Sequence, residues 1–278
     1  EIEYTVEETA EKNGLNSYKS TVSKTKPTES ENVWNLRLTN KKEIEKVKVT
    51  VTKTWNDNND QDGVRSNINS ISFILKADNM TKDTYTVAGN SVSDWTNWKH
   101  EWKGLPKYKD AGTKINYTVE ESVEYKTGQN IDSRKYNEPV ISKTAEDTDG
   151  NLVFNVTNTY TPETMSVKAT KTWNDNDNTD GLRNNIDKIT LTLQKRVAQG
   201  DVYSGNFTSD GIAEATYEVP KDKYVDSDNW NTWDNLPKYA NGKFIQYRVK
   251  EDITYKTGET RSYTQKYNGN DSLEASYV

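Results

Sequence analysis

Short runs of alternating apolar and polar residues recur along the chain, and no run has a convincing helical period of 3.6 residues. A period of two is typical of a half-buried β-strand, because successive side chains point to opposite faces of a sheet. Clusters of Asn, Asp and Gly between the runs are typical of turns. The pattern therefore predicts an all-β protein of short strands. The clearest runs place these residues on one face each: Val49, Val51, Lys53 and Trp55; Tyr117, Val119 and Glu121; Phe154, Val156, Asn158 and Tyr160.

Each of these apolar faces includes one polar residue, namely Lys53, Glu121 or Asn158. Burial of an unpaired polar group is costly, so three such residues pointing into a core need an explanation. A strand near the edge of a sheet can accept an inward polar residue, and an error of one in the register would turn the residue outward. The alternation alone leaves both explanations open beside a chemical role.

An internal repeat is the strongest feature of the sequence. Val-Thr-Lys-Thr-Trp-Asn-Asp at 51–57 recurs as Ala-Thr-Lys-Thr-Trp-Asn-Asp at 169–175. Leu-Pro-Lys-Tyr at 105–108 recurs at 236–239. The distance between these two copies, 131 residues, is larger than the 118 residues between the copies of the first motif. The later copy therefore carries an insertion, which we place within 194–229.

The repeat predicts three modules. Residues 1–44 hold the C-terminal part of one module, residues 45–162 hold a complete module, and residues 163–278 hold a module that lacks its last strand. The first residue already lies in a strand-like pattern, so we expect the chain to be a piece of a longer protein. The sheet edge beside the missing strand is expected to be open.

Comparison of the copies indicates which polar positions a module requires. Neighbouring polar positions such as 48, 120 and 155 change residue type between copies, whereas the inward positions keep theirs. The retained sets are Lys53 and Lys171; Glu8, Glu121 and Glu251; Asn40 and Asn158. We therefore favour these residues as the candidate functional residues of each module.

Five motifs in fixed order resemble the B-type repeats of the Gram-positive collagen adhesin, the CnaB-type domains of surface adhesins and pilins. In the complete module they are Lys-Thr-Trp-Asn-Asp at 53–57, Asp-Gly-x-Arg at 62–65, Leu-Pro-Lys-Tyr at 105–108, Tyr-x-Val-x-Glu at 117–121 and Val-Thr-Asn-Thr-Tyr at 156–160. The resemblance covers nearly the whole chain. It implies tandem inverse immunoglobulin-like (CnaB-type) β-sandwiches that form the stalk of an extracellular, cell-wall-anchored adhesin, with the anchor outside this chain.

The resemblance also implies a spontaneous isopeptide bond between Lys53 and Asn158, promoted by Glu121. Desolvation would keep the lysine amine neutral and the glutamic acid protonated, which is the pairing that such a reaction needs. The third module keeps Lys171 and Glu251 without an Asn, and the first fragment keeps Glu8 and Asn40 without a Lys. The reaction would be a single turnover of the chain on itself, so no enzyme in the ordinary sense is expected.

Composition excludes several classes of function. The chain has no cysteine and one histidine, His100, so disulfides, thiolate metal sites and multi-histidine metal sites are excluded. The 37 Lys and Arg nearly balance 43 Asp and Glu, and no basic cluster points to nucleic acid. No apolar run is long enough for a membrane helix. We expect no cofactor, no metal, no nucleic-acid partner and no membrane contact in this chain.

Two further patterns support alternatives. The loops 58–63 and 176–181 partly match a calcium-binding loop, but Asn stands where an EF-hand has its first Asp, so a polar turn is favoured. Trp95, Trp98 and Trp102 form either a sugar-stacking platform or part of the core. The expected partners are neighbouring repeats of the same surface protein. The alternative function is a ligand-binding module that recognises a host matrix protein or glycan, through the insertion or the Trp cluster.

Overall fold

The computed structural model describes residues 2, 5–6, 19–25, 33–89, 95, 97–128, 133–198, 205–225 and 227–266. The described residues form β-strands joined by turns and four short 3-10 helices, so the predicted all-β class is confirmed. The strands are β1 (Lys19–Thr25), β2 (Asn35–Lys41), β3 (Lys46–Asn56), β4 (Ile68–Ala77), β5 (Met80–Ala88), β6 (Lys99–Pro106), β7 (Tyr117–Tyr125), β8 (Val140–Glu146), β9 (Leu152–Thr159), β10 (Thr164–Lys171), β11 (Ile186–Val197), β12 (Thr216–Glu218), β13 (Ser227–Pro237), β14 (Tyr239–Ala240) and β15 (Lys243–Tyr255). The 3-10 helices are Val64–Asn67, Asp110–Gly112, Leu182–Asn185 and Lys221–Lys223.

The central sandwich packs a four-stranded sheet, in the order β6-β3-β9-β8, against a three-stranded sheet, in the order β5-β4-β7. Alternation sends one side of each strand into a shared core, which includes the fully buried Val49, Val51, Phe73 and Val156. Strands β3 and β9 are parallel neighbours, although most of this sandwich is antiparallel. This pairing brings the first strand of the module beside its last strand.

The following sandwich has its own core and repeats much of this arrangement. One sheet pairs β10 with β13, and the other has the order β12-β11-β15-β14. Its core centres on Trp230, Tyr247, Ile189 and Leu193. Within the described residues, β10 pairs with β13 alone, whereas β3 lies between two strands.

Strands β1 and β2 form an antiparallel hairpin that pairs Val22 with Leu38. The hairpin β8–β9 pairs Ile141 with Val156 in the same way. The sequence Ser-Lys-Thr follows directly after Val22 and directly after Ile141, and Thr-Asn follows both Leu38 and Val156. The two hairpins are therefore matched in sequence and in register.

In the described part of the chain, the structure contains no helix long and apolar enough to cross a membrane.

Candidate functional site

Three strands from both sheets deliver the inward polar residues of the central sandwich. Lys53 lies on β3 and Asn158 lies on the adjacent parallel strand β9, where Val156 is the register partner of Lys53. Asn158 is two residues beyond Val156 and so shares its face with Lys53. Glu121 lies on β7 in the opposite sheet. The alternation and the sandwich packing thus bring the three side chains together from strands far apart in sequence.

The amine Nζ of Lys53 lies 2.9 Å from the side-chain oxygen Oδ1 of Asn158, to which it donates a hydrogen bond. The same amine donates to the backbone oxygen of Thr54 at 3.0 Å and to that of Val156 at 3.4 Å. The carboxylate oxygen Oε1 of Glu121 lies 3.8 Å from this amine. The Lys53 and Glu121 side chains are completely shielded from solvent, and Asn158 is also 0% exposed.

Burial sets the protonation of this pair. Burial lowers the pKa of Lys53 to about 8, although the charge of Glu121 opposes this shift. The amine therefore loses its proton more readily than an exposed lysine does. Burial also raises the pKa of Glu121, although the charge of Lys53 and the Asn158 amide oppose the rise. Neither carboxylate oxygen of Glu121 accepts a hydrogen bond of standard geometry. A buried carboxylate without hydrogen bonds is costly, so the environment favours the protonated acid.

Aromatic side chains cover the amine. The Trp55 ring centroid lies 3.9 Å from Nζ of Lys53, and the Tyr136 ring packs on Trp55 at 4.7 Å between centroids. Trp95 also contacts Trp55, edge-on, at 5.6 Å between ring centroids. These rings help to exclude water from the amine, which sustains the pKa shifts on which any chemistry here depends.

The equivalent pair in the following sandwich has a different environment. Nζ of Lys171 lies 3.1 Å from Oε2 of Glu251, and both side chains keep some exposure, 17% and 10%. The amide nitrogen of Gln265 also donates to Oε2 of Glu251, at 3.1 Å. Gln265 is a contact that the sequence analysis did not indicate. No Asn accompanies Lys171 and Glu251 within the described residues.

The remaining predicted set belongs to the first fragment. Asn40 is an exposed residue of β2 in the hairpin that matches β8–β9. Glu8 lies outside the described residues. The pairing of Asn40 with Glu8 therefore stays a prediction.

An arginine binds the aspartate that precedes the calcium-like loop 58–63. Asp57 receives two hydrogen bonds from the guanidinium of Arg65, at 2.8 and 2.7 Å, and a third from the hydroxyl of Tyr136 at 2.6 Å. Although burial by itself raises the pKa of Asp57, these hydrogen bonds outweigh it and hold the pKa below its ordinary value. Arg183, Asp175 and Tyr263 repeat the network in the next module. Among the described residues, no group of three or more His, Cys, Asp or Glu side chains is arranged to hold a metal.

The tryptophans serve the cores rather than an open platform. Trp95, Trp102, Trp230 and Trp233 are all less than a tenth exposed. Trp98 is half-buried and stacks on Phe73 at 4.7 Å between ring centroids. His100 is half-buried and stacks on Tyr85. A sugar-stacking role for the Trp cluster finds no support in this arrangement.

The insertion of the later module is tied to its own sheet. Phe207 is buried, and the guanidinium groups of Arg196 and Arg248 lie 4.4 and 4.1 Å from its ring centroid. These two arginines also donate hydrogen bonds to Gln246 and Gln194, respectively, on neighbouring strands. The phenylalanine therefore fixes the insertion on a polar sheet face by cation–π contacts.

Comparison with known families agrees with these motifs and strands. The Cna protein B-type domain matches residues 49–159 and again residues 167–274, which together make up well over half of the chain. The chain belongs to this family. It contains two matched B-type domains in tandem. The third, partial module over residues 1–44 stays a prediction.

A similar protein and two similar structures come from Staphylococcus aureus. A collagen adhesin is 33% identical over 234 residues, which are 84% of this chain and 16% of that protein. A structure of two B repeat units of the collagen binding protein is 29% identical and covers 86% of this chain and 50% of its own, with a TM-score of 0.32. A structure of a single B repeat unit is 29% identical and covers 82% of this chain and 94% of its own, with a TM-score of 0.26. The B-type chain described here thus spans only a small part of the length of its curated relative.

Proposed function

We propose that this chain is a stretch of stalk from an extracellular, wall-anchored Gram-positive adhesin, and that its central B-type module closes an isopeptide bond between Lys53 and Asn158. One observation carries the proposal. The Lys53 amine lies 2.9 Å from the Asn158 side chain in a site without solvent exposure, with the Glu121 carboxyl group 3.8 Å from that amine. Membership of the B-type family and similarity to a surface adhesin support the stalk role.

The chemistry begins with a proton transfer from the Lys53 ammonium to Glu121, which leaves a neutral amine and a neutral acid. The amine lone pair then attacks Cγ of Asn158 to form a tetrahedral intermediate, and the Glu121 proton stabilises the developing oxyanion. Glu121 next takes a proton from the attacking nitrogen and delivers one to the departing amide nitrogen. The C–N bond of the Asn158 amide breaks, ammonia leaves, and Glu121 is again protonated.

The bond would suit a protein that bears tension. It would join the first strand of the module to the last, across a sequence separation of 105 residues. By the chain-entropy estimate, closing a loop of this length is worth about 5 kcal/mol. Pulling on the two ends of the module would then load the covalent bond before the strand pairing between them. The B-type modules would act as structural units rather than as multiple-turnover enzymes.

The intact mass of the whole chain tests the proposal. The wild-type chain should weigh one ammonia less than its sequence mass, and a digest should contain a branched peptide that joins Lys53 to Asn158. Lys53→Ala and Asn158→Ala should each restore the full mass. Lys171→Ala is the matched control, because it removes the equivalent lysine of the other module and should leave the loss of one ammonia unchanged. A wild-type chain at full sequence mass would exclude the bond.

Binding to a host matrix protein is the competing function. The relative named collagen adhesin makes collagen the first ligand to assay. Saturable binding of the whole chain to collagen, lost when Phe207→Ala frees the insertion, would favour a ligand-binding module over a stalk.

A further inference from the structure

Residues 160–163 form the linker between β9 and β10, and Glu163 in this linker forms hydrogen bonds with both sandwiches. The backbone N–H of Glu163 donates to Oδ2 of Asp62, in the central module, at 2.8 Å. The backbone oxygen of Glu163 accepts from the N–H of Lys238, in the following module, at 3.0 Å. Its carboxylate also pairs with Nζ of Lys238 at 2.7 Å. Glu163 is thus bonded to Asp62 of the central module and to Lys238 of the following module.

Asp62 is a fully buried charge at this joint, with a side chain that is 0% exposed. Besides the linker N–H, its Oδ2 accepts from the hydroxyl of Tyr160 at 3.1 Å and lies 3.4 Å from the guanidinium of Arg134. Burial and the charge of Asp62 together raise the pKa of Tyr160 to about 12, so its hydroxyl stays protonated and able to donate. A buried carboxylate is stable only with such partners, and one of them belongs to the linker.

The two modules also touch directly, backbone to backbone. The N–H of Gly242, in the turn between β14 and β15, donates to the backbone oxygen of Gln61 at 3.1 Å. A Cβ atom on Gly63 would lie 2.5 Å from Cα of Gly242, and one on Gly242 would lie 3.0 Å from Cα of Gly63. Both glycines have a left-handed backbone, with φ of 73° and 74°. This approach is possible only without side chains.

An aromatic contact completes the surface. The guanidinium of Arg134, which pairs with Asp62, lies 4.1 Å from the ring centroid of Tyr239 in the following module. One arginine therefore binds the joint carboxylate and also packs on the neighbouring sandwich.

We propose that Asp62, Glu163 and the Gly63–Gly242 contact lock the orientation of neighbouring B-type modules, so that this surface is a built repeat-to-repeat interface. Relative motion is the default for modules joined by a short linker with little shared surface. Here rotation would strip a buried carboxylate of its linker hydrogen bond and separate two closely packed backbones. This lock depends on the joint alone and does not require the Lys53–Asn158 bond.

The same parts recur elsewhere in the chain. Asp180 and Gly181 repeat Asp62 and Gly63, and Gly181 has the same left-handed backbone. Glu45 repeats Glu163, because its backbone oxygen and carboxylate bind the backbone N–H and Nζ of Lys107. The interface is therefore encoded in the repeat, and its partner is another module of this kind.

Distance measurements between spin labels on the whole chain test the lock. The chain has no cysteine, so Lys82→Cys and Asp252→Cys place one label on an exposed strand position of each module. With wild-type joint residues we expect one narrow distance distribution. Asp62→Ala and Gly242→Ala should each broaden it by about twofold or more, as expected for freely hinged modules.

Matched controls separate the joint from local damage. Asp180→Ala removes the equivalent aspartate away from this joint. Gly112→Ala introduces a side chain at a turn glycine with φ of 76° but nothing within 4 Å of the new Cβ. Both controls should keep the narrow distribution, and so should Lys53→Ala, which abolishes the proposed bond. A broad wild-type distribution, or equal widths in the joint variants and their controls, would overturn the lock.

Discussion

The amine of Lys171 and the carboxylate of Glu251 form a 3.1 Å ion pair in the module where no Asn accompanies them among the described residues. The equivalent Lys53 and Glu121 are 3.8 Å apart in a fully shielded site beside Asn158. The two copies thus show one residue pair in two environments. Partial exposure stabilises charged groups, whereas complete burial favours the neutral pair that can react. We therefore ascribe the proposed reactivity of the central module to its last strand, β9, which supplies the amide of Asn158.

Glu121→Gln should abolish the bond and preserve the fold. Glutamine has nearly the same shape and is neutral, but it cannot carry a proton between the amine and the leaving group, a function worth about 100-fold or more in rate. The freshly purified variant should show the full sequence mass and lose ammonia slowly or not at all over days. Glu251→Gln, the equivalent change in the following module, should react like the wild type. Complete cross-linking of Glu121→Gln would assign proton transfer to another group.

Lys53→Met should lower the stability of the central module by about 5 kcal/mol, the value of the lost loop closure, while keeping an apolar stem of similar size. Scanning calorimetry of the whole chain should show one transition at a lower temperature. Lys171→Met removes an ion pair rather than a covalent bond, and Gln265 still donates to Glu251, so we expect a smaller loss of stability. Similar shifts in the two variants would mean that no covalent bond strengthens the central module.

The pH dependence of stability should differ between linked and unlinked chains. In Asn158→Ala the amine stays free, with its pKa lowered from 10.5 to about 8 in the folded state. Between those values the unfolded chain binds the extra proton, so the free energy of unfolding rises with pH, by at most about 1.4 kcal/mol per pH unit. In the linked wild type Lys53 is an amide and does not titrate. Denaturant unfolding from pH 7 to 10 should show that the wild type has the larger free energy of unfolding. Its advantage over Asn158→Ala should narrow as pH rises. A constant difference would contradict the lowered pKa.

Tyr136→Phe should destabilise the central module without preventing the bond. Its hydroxyl donates to the buried Asp57 at 2.6 Å, but Arg65 remains to pair with that carboxylate. We expect a loss of about 1 to 2 kcal/mol in chemical denaturation. The intact mass should still lack one ammonia, because the ring that packs on Trp55 is retained. A variant at full mass would instead make Tyr136 part of the reactive site.

The sequence by itself determined which side chains point inward. Alternation is local, because each residue of a strand faces opposite to the one before it, so Lys53, Glu121 and Asn158 could be assigned to buried faces. The repeat then selected these positions from their neighbours. The structure places all three side chains in the interior of the central sandwich.

Only the tertiary structure decided which of these faces meet. The parallel pairing of β3 with β9 depends on contacts about 100 residues apart. The placement of β7 across the sandwich likewise depends on long-range contacts, such as that between Lys53 and Glu121. Asp57, which precedes the calcium-like loop, illustrates the same limit, because its charge partner Arg65 is identified by three-dimensional contact. The close approach of Gly63 to Gly242 goes further still. It exists only when two folded modules are placed against each other, and the alternation within a single strand carries no information about it.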